Sequence, residues 1–332
     1  MARNTRRSNG LKKLQPAVMQ MEFIVPAGES YIDLNLAASL LNRRAYKQRN
    51  TNFAIANMEF LGSGTGSIAI GKLPETWVSH NAYTKAEALW DEMNQQVLET
   101  NEGIEGRYAD FKVYLDANMS GQSIQTQNNP TGKILTPVTG GFTEANFDES
   151  ANPKANWDWS TIQVPNDPTG GTTTEYNLHM IGPSTGFSQG IITGYGLSRQ
   201  RPQLDEPNTP GVGSPADWMT ALFDVGEQME ELKTDLIDDN DRPPYAVGSP
   251  GGVSEFYLGG GNEYADVQVH GFCSYTSTTI SGKNTIQGGM FGLGMMKISN
   301  NVVDSEGEGV EFNLLIHFVP GTHRGYMCGE LK

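Results

Sequence analysis

Cysteine is nearly absent: Cys273 and Cys328 are the only two in 332 residues. They could form one disulfide at most, their separation matches no metal-ligand spacing, and the residue's usual burial predicts two free interior thiols. Histidine is also scarce, with five scattered copies, so a Cys/His zinc site has no basis. No run of about 18 apolar residues occurs, which excludes a membrane-spanning helix. The start, Met1-Ala-Arg-Asn-Thr-Arg-Arg7, has no apolar stretch behind its basic residues and predicts no secretory leader. Charged residues make up only 18%, against 39 glycines and 17 prolines, a composition that suits short strands joined by turns rather than a helical bundle. A hydrophobic content of 37% argues against a disordered chain, and the length suits one large all-β domain.

Charge is unevenly divided. Residues 1–49 carry nine Lys and Arg against Glu22, Glu29 and Asp33, a balance of +6; the remainder carries 14 against 35, a balance of −21. A uniformly acidic chain would repel nucleic acid, whereas a basic arm on an acidic body puts opposite potentials on different faces. Residues 1–14 hold Arg3, Arg6, Arg7, Lys12 and Lys13 among Asn, Ser and Gly, with little apolar surface to fold around. They predict a flexible basic arm ahead of a folded domain over 15–332. The arm either contacts phosphates or merely aids solubility. Arg43, Arg44, Lys47 and Arg49 form a second basic group, set either to join the arm on one surface or to pair with acidic residues of a neighbouring copy.

The most strongly patterned stretch runs from Phe53 to Leu115. Residues 53–61 and 66–73 alternate as half-buried strands do, with Gly62, Gly64 and Gly66 at the connection. The period then changes to that of a helix, because Ala86, Leu89, Trp90, Met93 and Val97 share one face, and Thr84 with Glu87 predicts a capping box at its start. Residues 107–115 return to strand alternation.

Elsewhere, Val18 to Val25 predicts a first strand, while 31–46 fits both strand and helix spacing. Residues 121–171 are rich in Asn, Gln, Pro, Gly and Thr and predict long loops. Within them Trp157 and Trp159 are either aromatic anchors or a ledge for sugar. Glu175–Ile181 and Gln189–Leu197 predict a strand pair. Between them two Gly-x-Ser-x-Gly matches, at 182–186 and 186–190, lack the strand-to-helix context of a hydrolase elbow, since glycine and β-branched residues follow. Ser214 opens a second helix whose Trp218, Leu222, Val225, Met229, Leu232 and Leu236 form a narrow apolar seam. Asp238, Asp239 and Asp241 end it; they suit Ca²⁺ in donor type but lack the glycine and distal glutamate of a calcium loop, so a solvated terminus is the simpler account. Glycine-punctuated runs over 266–275, 288–298 and 310–319 supply the last strands.

Lys72-Leu-Pro-Glu-Thr-Trp77, the helix with its Leu89-Trp90 pair, and Asp110-Phe-Lys-Val-Tyr-Leu115 resemble the capsid proteins of small circular Rep-encoding single-stranded DNA viruses. Tyr31-Ile-Asp-Leu-Asn-Leu36 and Asn42-Arg-Arg-Ala-Tyr46 are similar to the same family, so the resemblance covers roughly the first third of the chain. It implies a coat protein that assembles with copies of itself around circular single-stranded DNA. The implied fold is a single jelly-roll β-sandwich of about eight antiparallel strands with two inserted helices and long loops. No enzyme activity, cofactor or membrane contact follows. The implied partners are its own copies, single-stranded DNA and an unidentified host receptor; the implied locations are the virion and, through the arm, the host nucleus. Arg3, Arg6, Arg7, Lys12, Lys13, Arg43 and Arg44 are the expected DNA-binding residues. The arm is shorter than the arginine-rich arms of many such coats. The competing class is a β-sandwich carbohydrate-binding protein or glycoside hydrolase built on Trp157, Trp159 and Glu175.

Overall fold

The computed structural model describes residues 15–49, 52–100, 111–121, 132–138, 159–165, 173–198, 267–276, 278–279 and 282–329. By internal contact the chain divides into two compact units, residues 1–194 with 264–332, and residues 195–263. Only Tyr195–Ser198 of the second unit falls among the described residues. The predicted helix from Ser214 and the aspartates at 238, 239 and 241 lie outside them.

The first unit is mostly antiparallel β-sheet. Its strands in chain order are β1 (Gln20–Val25), β2 (Gly28–Asp33), β3 (Asn52–Leu61), β4 (Gly66–Lys72), β5 (Tyr114–Asp116), β6 (Thr161–Pro165), β7 (Thr173–Ile181), β8 (Ser188–Gly190), β9 (Gln268–Tyr275), β10 (Lys283–Phe291), β11 (Met295–Asn300) and β12 (Phe312–Phe318). Three two-residue strands follow, β13 (Pro320–Gly321), β14 (Gly325–Tyr326) and β15 (Cys328–Gly329). One sheet runs β1-β12-β3-β10, with β15 also on β3; another runs β2-β11-β4-β9, and every pairing in both is antiparallel.

Alternation explains where the core forms. On β3 the side chains of Met58 and Phe60 are buried while Asn57, Glu59 and Leu61 turn away, and on β12 Phe312, Leu314 and Ile316 are buried in the same rhythm. These meet Ile32, Ile68, Ile70, Met296 and Ile298 of the other sheet in one cluster, so the two sheets close over a shared apolar interior. Each fully buried side chain of this size contributes about 1.5–3 kcal/mol. Close approach of the strands needs glycine at 288, where a Cβ would overlap the Ile55 carbonyl oxygen.

The ambiguous segment 31–46 is both things in turn. Strand β2 ends at Asp33, whose carboxylate accepts from the backbone N–H of Asn35 (2.9 Å) and Leu36 (3.2 Å) and so caps α1 (Leu34–Asn42). Helix α2 (Trp77–Thr100) begins seven residues before the predicted box. The Thr76 hydroxyl accepts from the Ser79 N–H (3.3 Å) at its start, whereas Thr84 lies inside the helix and donates to the His80 carbonyl (2.9 Å). Residues 107–115 are described only from Phe111, and strand geometry there is confined to β5. Of the predicted strand over 189–197, Gln189 and Gly190 lie in β8 and the rest is a helix, α3 (Ile191–Ser198). Its β-branched Ile191, Ile192 and Thr193 favour a strand locally, but Ile191 and Ile192 are buried and Thr193 donates to the Gly182 carbonyl (2.8 Å), so packing overrides propensity.

Strands β4 and β9 are joined by the long segment 73–267. It carries a small sheet, β5-β7-β6 with β8 on β7, in which β5 and β8 run parallel to β7. Charged side chains bind it to the main sheets. Lys112 meets the fully buried Asp33 at 3.4 Å, and Lys297 of β11 lies 3.2 Å from both Asp116 and Glu29. The Tyr31 hydroxyl also donates to Asp116 (3.0 Å). No helix among the described residues is long and apolar enough to cross a membrane.

Candidate nucleic-acid interface

Of the seven expected DNA-binding residues, Arg3, Arg6, Arg7, Lys12 and Lys13 lie outside the described residues. Arg43 and Arg44 are both exposed at the end of α1. Arg43 is the C-cap, in the left-handed conformation (φ 50°), and the turn it makes is held by the Arg44 N–H on the Ser39 carbonyl (3.3 Å). The Arg44 guanidinium then donates to the side-chain oxygen of Gln15 (2.6 Å), which places it where the arm leaves the fold.

A third arginine, Arg324, joins them from near the end of the chain. It sits with positive φ (48°) in the turn between β13 and β14, its guanidinium donates to the Ala45 carbonyl, and it lies 6.0 Å from the Tyr46 ring. The Tyr46 hydroxyl donates in return to the Arg324 carbonyl (3.0 Å). The next residue, Gly325 (φ +109°), has its Cα so close to residues 15–17 that an added Cβ would overlap Ala17 and stand 2.9 Å from the Gln15 carbonyl. The arm's root, the end of α1 and the C-terminal turn therefore form one surface.

Its electrostatics agree. Burial raises the pKa of the Tyr46 hydroxyl, and Arg44 and Arg324 both pull it down, so the two cations act at one point. His323 is held below the usual imidazole range, by burial first and Arg324 second, and is uncharged at neutral pH. Arg49 is a different case: its guanidinium pairs with Glu87 (2.8 Å) and with Asp91 of α2, which fastens that helix to the chain's own body. Arg324 was not expected from the sequence. The available signal was the basic pair His323-Arg324 between Gly321 and Gly325, but nothing linear connects it to residue 44.

No known family model, curated protein or solved structure matches this chain.

Two alternative chemistries fare poorly in the geometry. Trp159 is buried, stacked on Tyr114 (centroids 4.0 Å, planes 19° apart) with the Lys112 ammonium 3.9 Å from its ring centre, so it is an interior anchor and not a sugar ledge; Trp157 lies outside the described residues. Glu175 is half-buried on β7 opposite Gln163. In the second Gly-x-Ser-x-Gly match a helix does follow, contrary to expectation. Yet Ser188 is the first residue of β8, not the turn residue, and is wholly buried, with its Oγ 2.6 Å from His179 Nδ1. Burial lowers the His179 pKa, so the neutral ring ties β8 to β7 while the hydroxyl has no surface to offer a substrate. Cys273 is buried and Cys328 half-buried, both as free thiols.

Proposed function

We propose that this protein is a viral coat protein that assembles into a closed icosahedral shell around circular single-stranded DNA, and that its two sheets are a jelly roll. The observation that carries this reading is the nesting of the eight main strands. Numbered one to eight along the chain, β1, β2, β3, β4, β9, β10, β11 and β12 pair first with eighth, second with seventh, third with sixth and fourth with fifth. That is a single long hairpin wound so that successive pairs fall in alternate sheets, the pattern a jelly roll requires.

Two further features support assembly around DNA. Among the described residues strand β9 ends its sheet, and its Val269 and Phe272 are 66% and 71% exposed, apolar surface that a neighbouring copy would cover. The root of the basic arm meets Arg43 and Arg44, so the positive charge that a DNA-lined interior needs is gathered at one place on an acidic body. No active site is required, and binding is electrostatic and independent of sequence. Nuclease digestion of particles purified from expressing cells tests the DNA half of the proposal. DNA that survives digestion and is released by denaturing the particle is the expected result; particles free of nucleic acid would overturn it.

A further inference from the structure

Resting on the coat-protein reading, we propose that the folded domain has a nucleic-acid-binding surface of its own at the root of the arm, where Arg324 joins Arg43 and Arg44 to take the phosphates of single-stranded DNA. The three segments that meet there, residues 15–18, 43–48 and 320–328, contain no Asp or Glu in a chain that has 38. No ion pair among the described residues uses any of the three arginines. Arg44 is held by the neutral Gln15 side chain and Arg324 by the Ala45 carbonyl, contacts that orient a guanidinium without cancelling its charge. Several cations among the described residues differ: Arg49, Lys72, Lys112, Lys283 and Lys297 each face a carboxylate of the same chain. A guanidinium fixed in place, exposed and unneutralised suits a phosphate oxygen, which it binds through paired N–H donors. Gly325 packs against residues 15–17, next in the chain to residues 1–14, and the three arginines would raise the cations offered to DNA from the five of those residues to eight per copy.

The test is the salt dependence of oligothymidylate binding to unassembled full-length subunits, read by fluorescence anisotropy. Eight phosphate contacts predict a slope of log affinity on log salt of about −5.6, taking about −0.7 per contact on a single strand. Replacing Arg3, Arg6, Arg7, Lys12 and Lys13 with Gln should leave a slope of about −2, and R43Q/R44Q/R324Q should leave about −3.5. The charge-conserving R43K/R44K/R324K should keep the full slope, which separates charge from any loss of fold. If the arm-neutralised protein loses all salt-dependent binding while the natural chain retains it, the domain surface is refuted and the arm alone binds DNA. If the natural chain itself shows no salt-dependent binding, the coat-protein reading beneath the inference fails.

Discussion

Arg49 and Arg44 stand five residues apart and do opposite work. Arg49 is spent on Glu87 and Asp91, so Arg49→Gln should loosen α2 and leave DNA affinity nearly unchanged, whereas Arg44→Gln should weaken affinity with no change in melting temperature. Buried charge matters more for stability. Lys112 is 6% exposed and faces a fully buried Asp33, so Lys112→Ala strands a carboxylate in the interior and should cost about 3–5 kcal/mol in urea unfolding. A loss below about 1 kcal/mol would mean that the pair is solvated. Burial also pushes the thiols of Cys273 and Cys328 up to about 11 and about 12, and the Tyr326 hydroxyl up to about 12. An acid whose folded pKa is raised keeps its proton where the unfolded chain has lost it. Its stabilisation is whole below the unfolded value, about 9 for Cys and about 10 for Tyr, and is lost as pH climbs through the folded value. The urea midpoint should therefore fall between pH 9 and pH 12, and C273A/C328A should flatten part of that fall. A midpoint independent of pH across this window would contradict the buried placement of these groups.

Among the elements, α2 offers the sharpest check on local structure. Thr76→Ala removes the acceptor at its first turn and should cost about 1 kcal/mol, while Thr84→Ala removes only an internal hydroxyl contact and should be close to neutral. Equal effects from the two would return the helix start to the later position. The contrast also explains what could be read in advance. Strands β4 and β12 and the second halves of β3 and β9 are legible because each buries one face, which writes a period of two into the side chains. The first turns of α2 are not, since Trp77, His80 and Asn81 break the apolar face although Val78, Ala82 and Tyr83 are buried. Helix α3 is not legible because Ile191, Ile192 and Thr193 carry strand propensity, and only burial and the Gly182 partner decide the outcome. At Gly288 an added Cβ would overlap the Ile55 carbonyl oxygen, so Gly288→Val should prevent β10 from pairing with β3.

At the scale of the molecule, what the sequence could not supply was adjacency. Alternation says which face of β1 is buried but not that β12, nearly 300 residues away, is its partner. The same gap hid Arg324, whose relevance depends wholly on the packing of Gly325 against the root of the arm. The nested pairing of eight strands and the gathered arginines are the two long-range facts on which the coat-protein proposal stands. It is tested most directly by expressing the full chain alone and viewing the purified protein by negative-stain microscopy, with light scattering in parallel. Closed particles of uniform diameter are the predicted result. A stable monomer across a range of salt and pH would contradict it.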